Sequence, residues 1–236
     1  TRYFKMNTAK TLKKMKLWSL MTPSVRRYFA AGPLIETGEL ADLIEAKTSN
    51  LTVLNCTKFP PQFPAKPADM HEKQRIPTSL FFDLDTCRDV NSPYPMMLPT
   101  EKIFNEYIKD FPLSEETKIV CYDDIGLWTS ARAYWMFTTF GLKDVKVLNG
   151  GLPKWVKEGR HTEEGPQEKV KTDGVVGNFK INRNRVASVS DMIEIMLGVK
   201  QAQIVDARDP KAFQTQSDGY FEHIPTSRNL PFDKMV

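Results

Sequence analysis

Three features of the chain predict an α/β fold built on a parallel sheet flanked by helices. Apolar runs of about four residues, the length of strands buried on both faces, recur along it. Stretches of helical period separate them, and the junctions are short and rich in Gly, Pro and Asp. A partial second copy of the same pattern follows the first.

The elements read in order as follows. Ile35–Ala46 is a short helix with Thr37 as N-cap and Leu40, Leu43 and Ile44 on one face. Leu51–Leu54 is the first buried strand. Phe59–Pro67 holds four prolines and reads as a loop near polyproline geometry. Leu80–Phe82 is a strand, and Pro93, Pro95 and Pro99 bracket an irregular loop. Glu101–Phe111 is a helix capped by Thr100, with Ile103, Phe104, Tyr107 and Ile108 on its apolar face.

Lys118–Gly159 is the stretch with the most chemical content. Ile119–Tyr122 is a strand, and Asp123, Asp124, Ile125 and Gly126 turn the chain into a helix over Ser130–Phe140. Gly141 stands at the helix C-terminus. Val145–Leu148 is the next strand, and Gly150-Gly151 breaks it before a short helix around Trp155. A strand, tight loop and helix in this order aim backbone N–H groups and a helix N-terminus at the loop's first position, which suits an anion. Asp123 occupies that position, with Asp124 as the alternative if the loop is shorter.

Composition is that of an ordinary globular protein, 41% apolar and 26% charged over 236 residues. No stretch approaches the roughly 20 apolar residues of a membrane span. Cys56, Cys87 and Cys121 have neither metal nor disulfide spacing, and His71, His161 and His223 are scattered, so neither a metal nor a cofactor is expected. Residues 1–30 carry eight Lys and Arg and no acid, so the net +4 of the whole chain leaves the remainder at −4. Such a basic, acid-free arm ending in Val25–Ala31 has the character of a mitochondrial transit segment. Its other use would be docking on an acidic protein or lipid surface; without clustered aromatics it does not indicate nucleic-acid binding.

From about Pro33 onward the sequence resembles the two-domain thiosulfate/3-mercaptopyruvate sulfurtransferases, the rhodanese-like proteins. The resemblance is carried by Phe81–Asp85, Ser92–Pro99, Tyr134–Phe137, Val147–Trp155, Ile204–Arg208 and His223–Ser227. It implies a rhodanese-like domain over 33–160, a linker over 161–187 and an incomplete second domain over 188–236, after the basic arm 1–32. In the second domain Ser188–Gly198 reads as a helix capped by Ser190, with Met192, Ile193, Ile195 and Met196 facing inward. Ala202–Val205 reads as a strand and Lys211–Phe213 as the start of a turn. The tetrapeptide Ile-Pro-Thr-Ser occurs at 76–79 and again at 224–227, each time after a strand, ending at Asn55 or at Asp206.

In this family a loop cysteine accepts a sulfane sulfur from an anionic donor held by arginines and passes it to an acceptor. The resemblance puts that cysteine beyond the last residue of this chain. An arginine expected to bind the donor falls on Ala212. Of the acid–histidine pair that assists mercaptopyruvate turnover, Asp85 is present and Met96 stands where the histidine is expected. Asp123 then reads as a built-in carboxylate that satisfies the loop amides, with Gly126 in the same loop. Cys121 lies in a predicted buried strand, where desolvation disfavours a thiolate. Cys56 and Cys87 lack a following amide loop. Arg208 and Arg132 could grip an anion; in the structural reading Arg208 pairs with Asp206 or caps loop carbonyls, and Arg132 faces solvent or an acidic neighbour. Trp128, Trp135 and Trp155 read as packing residues.

The expectation is a catalytically degenerate sulfurtransferase-like protein, serving as a structural or accessory subunit of a mitochondrial assembly in the matrix or on the matrix face of the inner membrane. Other protein subunits would cover the unfinished second domain. The alternative is an active thiosulfate/3-mercaptopyruvate sulfurtransferase whose catalytic C-terminal half is absent from this chain.

Overall fold

A computed structural model describes residues 32–167 and 177–235. The basic arm and the roles expected of it lie outside the described residues. Five parallel strands form the central sheet: β1 (Leu34–Ile35), β2 (Leu51–Asn55), β3 (Leu80–Phe81), β4 (Lys118–Tyr122) and β5 (Val145–Leu148), in the order β1-β5-β4-β2-β3. The register pairs Leu54 with Cys121 and Asn55 with Tyr122.

Alternation along β4 divides the core between the two faces. Ile119 and Cys121 join Phe82, Phe104 and Phe137 on one face; Val120 and Tyr122 join Leu40, Leu152 and Trp155 on the other. The first face lies under α3 (Glu101–Tyr107) and α4 (Thr129–Thr139), and the second under α1 (Thr37–Glu45) and α5 (Gly151–Lys157). Phe104 and Phe140 stack with centroids 3.8 Å apart. Gly141 has a φ of +90°, and Leu142 N–H donates to the Phe137 carbonyl at 3.1 Å, so the glycine ends α4 in the left-handed turn expected of it.

Three boundaries differ from the sequence reading. Leu34–Ile35 is the edge strand β1, so α1 starts later; Glu36, not Thr37, is its N-cap, and the Thr37 hydroxyl donates instead to Glu158. A helix absent from the sequence reading, α2 (Pro67–Lys73), starts at the last proline of the loop, because Pro at N1 gives up an amide that has no intrahelical partner anyway. The helix from Glu101 closes with a 3₁₀ turn over Ile108–Asp110.

Residues 161–167 run along the outer edge of the sheet. Arg75 and Glu163 exchange backbone hydrogen bonds of 2.9 Å, and Gln167 Oε1 accepts the Phe81 amide of edge strand β3 at 2.7 Å. Beyond the undescribed residues, Phe179 is buried in the first core, its backbone N–H and C=O both bonded to the Asn105 amide. The segment read as a linker is therefore packed on the first unit at both described ends.

The second unit holds α6 (Val189–Met196), β6 (Val205–Asp206), α7 (Pro210–Gln214), β7 (Gln216–Ser217), β8 (Tyr220–Phe221) and β9 (Arg228–Asn229). β6 and β9 pair in parallel, Val205 with Arg228 and Asp206 with Asn229, as β2 and β3 do in the first unit. The cap of α6 is Ser188, not Ser190: Ser188 and Asp191 form a reciprocal capping box. The inward face expected of α6 is not enclosed: Met192, Ile195 and Met196 are half-buried and Ile193 is exposed. The residues expected to open a turn lie in α7, which Asp209 caps.

Candidate functional site

Parallel strands of an open sheet put their C-terminal ends, and the loops that follow, at one edge. There the loop after β4 closes around Asp123, whose side chain is fully buried. Its Oδ1 accepts the amides of Ile125 at 3.1 Å and Gly126 at 2.7 Å; its Oδ2 accepts the Trp128 and Ser130 amides at 2.8 and 2.9 Å and the Ser130 hydroxyl at 2.6 Å. Ser130 is in the first turn of α4, so the carboxylate also sits at the positive end of that helix. The loop is an anion cradle occupied by its own residue.

Gly126 and Gly151 make the fit possible. Gly126 has a φ of +135°, and a Cβ on Gly151, at φ +54°, would stand 2.4 Å from the Asp123 carbonyl oxygen. That carbonyl accepts the Leu152 amide at 3.0 Å, which ties the turn after β5 to the loop after β4.

Asp124 plays a different part. Its Oδ1 accepts Asn55 Nδ2 at 3.0 Å, and its amide donates to Thr57 Oγ1 at 2.9 Å. Burial, with the Asp123 charge adding to it, pushes its carboxyl up to about 6 against the hydrogen bonds of Asn55 and Thr57. The sequence signal for this network is the pair of polar residues Asn55 and Thr57 at the end of an otherwise buried strand.

The remaining candidates do not converge on one point. Asp85 is exposed and paired with Lys58. Met96, where a histidine is expected, has a φ of +60° and offers its carbonyl to Arg132 Nη2 at 2.6 Å. Arg132 neither faces an acid nor points into solvent: its guanidinium lies 4.6 Å from the Trp135 ring centroid, and desolvation lowers its basicity. Arg208 pairs with Asp206 through Nη2 at 2.7 Å and also donates to the Glu222 carbonyl at 3.0 Å. Ala212 donates its amide to Asp209 in the first turn of α7.

All three cysteines are buried in the first core. Burial, reinforced by neighbouring Cys121 and Asp123, pushes the Cys56 thiol well up, and burial raises Cys87 to about 12. Neither supplies a thiolate near neutral pH. Trp155 is buried, Trp135 half-buried, and Trp128 is 42% exposed on the Asp123 loop, where its ring stacks 6.4 Å from Phe232 of the second unit.

Comparison with known proteins agrees with this architecture. The rhodanese-like domain family matches residues 37–158. A thiosulfate sulfurtransferase of Gallus gallus is 36% identical over 194 residues, covering 80% of this chain and 65% of the relative. That of Rattus norvegicus is 34% identical over 174 residues, covering 69% of this chain and 56% of the relative. The chain thus spans less than two thirds of these relatives' own length. Among solved structures, the 3-mercaptopyruvate sulfurtransferase of Escherichia coli superposes with a TM-score of 0.77 at 28% identity, over 87% of this chain and 77% of that one. A yeast mitochondrial complex I sub-stoichiometric sulfur transferase subunit shares the fold with a TM-score of 0.71 at 24% identity, over 87% and 75%. With its parallel sheet, its repeated strand-and-corner unit and these matches, the chain belongs to the rhodanese-like sulfurtransferase family.

Proposed function

We propose that this chain is a catalytically degenerate member of its family and acts as a structural or accessory subunit of a mitochondrial assembly, on the matrix side. The observation that carries the reading is the Asp123 carboxylate, which takes five hydrogen bonds from the loop amides and Ser130. Sulfur transfer needs a thiolate facing donor and acceptor. In the first unit the position at the head of the loop holds Asp123, a carboxylate that cannot carry sulfur. Cys56, Cys87 and Cys121 are enclosed among aromatic and aliphatic side chains, and Met96 and Ala212 supply neither a proton relay nor a grip on an anionic donor. The complex I subunit with this fold illustrates the kind of role intended, although at 24% identity it speaks for fold alone.

The test is sulfur release from thiosulfate and from 3-mercaptopyruvate, with cyanide and a dithiol as acceptors, by the chain purified from its own organism. No turnover above that of a Cys56/Cys87/Cys121→Ser triple variant is expected; turnover that the triple variant loses would overturn the reading. One observation favours the alternative of an active enzyme with a further catalytic half: the chain spans only 65% and 56% of its Gallus and Rattus relatives. Sulfur transfer by the product of the full-length transcript, absent from residues 1–236 alone, would establish it.

A further inference from the structure

Residues 161–167 lie along the outer side of edge strand β3 as a strap that hydrogen bonds hold. Arg75 and Glu163 exchange backbone bonds, and the Gly165 amide donates to the Glu72 carbonyl at 2.7 Å. The Glu163 carboxylate accepts the Thr78 amide at 3.2 Å, and Gln167 Oε1 accepts that of Phe81. No residue from 161 to 167 is buried. Between the strap and the Ile76–Ser79 corner is a hollow of about 980 Å³, lined by Lys73, Arg75, Thr78, Ser79, Glu163 and Gln167. A segment held by polar contacts over a hollow, without apolar packing, opens more readily than the core beside it.

His71, on the last turn of α2, stands between β3 and this strap. It is 1% exposed, its ring lies 5.8 Å from that of Phe81, and among the described residues neither ring nitrogen has a hydrogen-bond partner. A buried imidazole in this state is costly, and the charged form more so. The surrounding charges do not compensate. Asp69, Glu72 and Lys73 of α2 are exposed, as are His161 and Glu164 of the strap. Glu163 is engaged by Arg75 at 3.6 Å and by the Thr78 amide, and β3 presents the uncharged Phe81. Gln167 and the Ser79 backbone favour a proton on the ring but complete no hydrogen bond with it. Burial, with the Arg75 charge second, holds the imidazole neutral down to about 4.

We propose that His71 is a proton-operated latch: the neutral ring lets residues 161–167 close along β3, and the protonated ring releases them and bares the outer edge of the sheet. With the strap lifted, water reaches the imidazole and restores its ordinary value of 6.5; with the strap closed the value is about 4. The open state binds more protons between those values. Closure is therefore at full strength above about 6.5 and weakens as pH falls to about 4. The rest of the sheet need not move, since β3 keeps its pairing with β2. Lifting Gln167 leaves the Phe81 amide unpaired on an edge strand, the form in which an edge accepts another strand. The latch lies in the first unit and does not depend on whether the chain transfers sulfur.

Hydrogen exchange of residues 1–236 between pH 7 and pH 4, corrected for intrinsic rates, tests the latch. The opening constants of the Phe81, Glu163 and Gly165 amides should rise about a hundredfold as pH falls over that range, while those of Val120 and Cys121 in β4 stay level. His71→Leu should flatten the rise, and His71→Asn, which does not titrate either, should do the same should leucine disturb the packing. Glu163→Gln keeps an acceptor for the Thr78 amide and should retain most of the rise. Three results would each overturn the proposal: a rise that persists in both His71 variants, a rise that Glu163→Gln abolishes, or β4 amides that open in step with the strap, which is unfolding of the whole unit.

Discussion

The two Ile-Pro-Thr-Ser corners share a backbone but not an environment, and the difference separates what the chain encodes locally from what packing adds. Around Ser79 the inner strands β2 and β4 are five residues long, the edge strand β3 has two, and the neighbouring side chains are enclosed between helices. Around Ser227 the strands shrink to two residues, and Val205, Tyr220, Phe221 and Ile224 are exposed. Turn chemistry therefore suffices to form the corner, whereas strand length and burial follow from having a neighbour on both edges.

The strongest way to break the first unit is to empty its anion cradle. Asp123→Ala leaves five donors without an acceptor inside a buried loop, and should destabilise the first unit by about 3–5 kcal/mol. Asp123→Asn keeps one accepting oxygen and should fall between alanine and wild type. Urea unfolding followed by tryptophan fluorescence measures both. A loss below about 1 kcal/mol for alanine would mean that water replaces the carboxylate and that the loop is not built around it.

Asp124 provides a test with a definite sign. Its folded pKa, about 6, lies above the ordinary aspartate value of 3.8, so between those values the native state binds more protons than the unfolded one. Stability from this group is present at low pH and falls as pH rises through 6. His71 acts the other way: burial, with Arg75 assisting, lowers its folded value from 6.5 to about 4, so its contribution grows as pH rises over that interval. Asp124→Asn keeps an acceptor for Asn55 and removes the first slope. It should stabilise the chain by about 1–2 kcal/mol at pH 7.5, by nearly nothing at pH 4, and leave a curve that rises with pH. A variant curve parallel to wild type would show that Asp124 is not desolvated.

How much of this was legible in the sequence depends on enclosure. Strands of the first unit announce themselves because both faces are buried, and β2, β4 and β5 lie where their apolar runs are. Asp123 was readable as a cradle residue because strand, loop and helix fix where amides point. Arg132 was not: its partners are the carbonyl of Met96, on a distant loop, and the face of Trp135, neither of which has a charge to look for. Helix α2 was hidden by Pro67, which belongs to a proline-dense loop in sequence and to a helix start in space. In the second unit the pattern of Ala202–Val205 and of α6 promised more burial than exists, since periodicity records which face is apolar and not whether anything covers it.

Removing the phenol sharpens the comparison between the corners. Tyr122→Phe deprives the Ile76 amide of its acceptor and Ser79 of one partner, and should cost about 1–2 kcal/mol. Ser227→Ala removes a hydroxyl that has no partner, and should change stability by less than about 0.5 kcal/mol in the chain alone. Comparable losses at both positions would mean that Ser227 is satisfied by water and that the corners are energetically alike.

The smallest expected effect concerns the turn itself. Thr78 and Thr226 are β-branched residues held at φ +63° and +69°, where glycine is at ease and branched side chains are not. Replacing either with glycine relieves that strain but gives the unfolded chain more freedom, so the net gain should be only about 0.5 kcal/mol. Because the strain belongs to the backbone and not to the neighbours, the gain should be the same at both corners. Urea unfolding reads it for Thr78→Gly, and slower exchange of the Arg228 and Leu230 amides reads it for Thr226→Gly. A gain at the open corner alone would show that the enclosed one stabilises its threonine through contacts, such as the Thr78 amide to Glu163 Oε2 at 3.2 Å, which then carry weight the backbone comparison does not assign them.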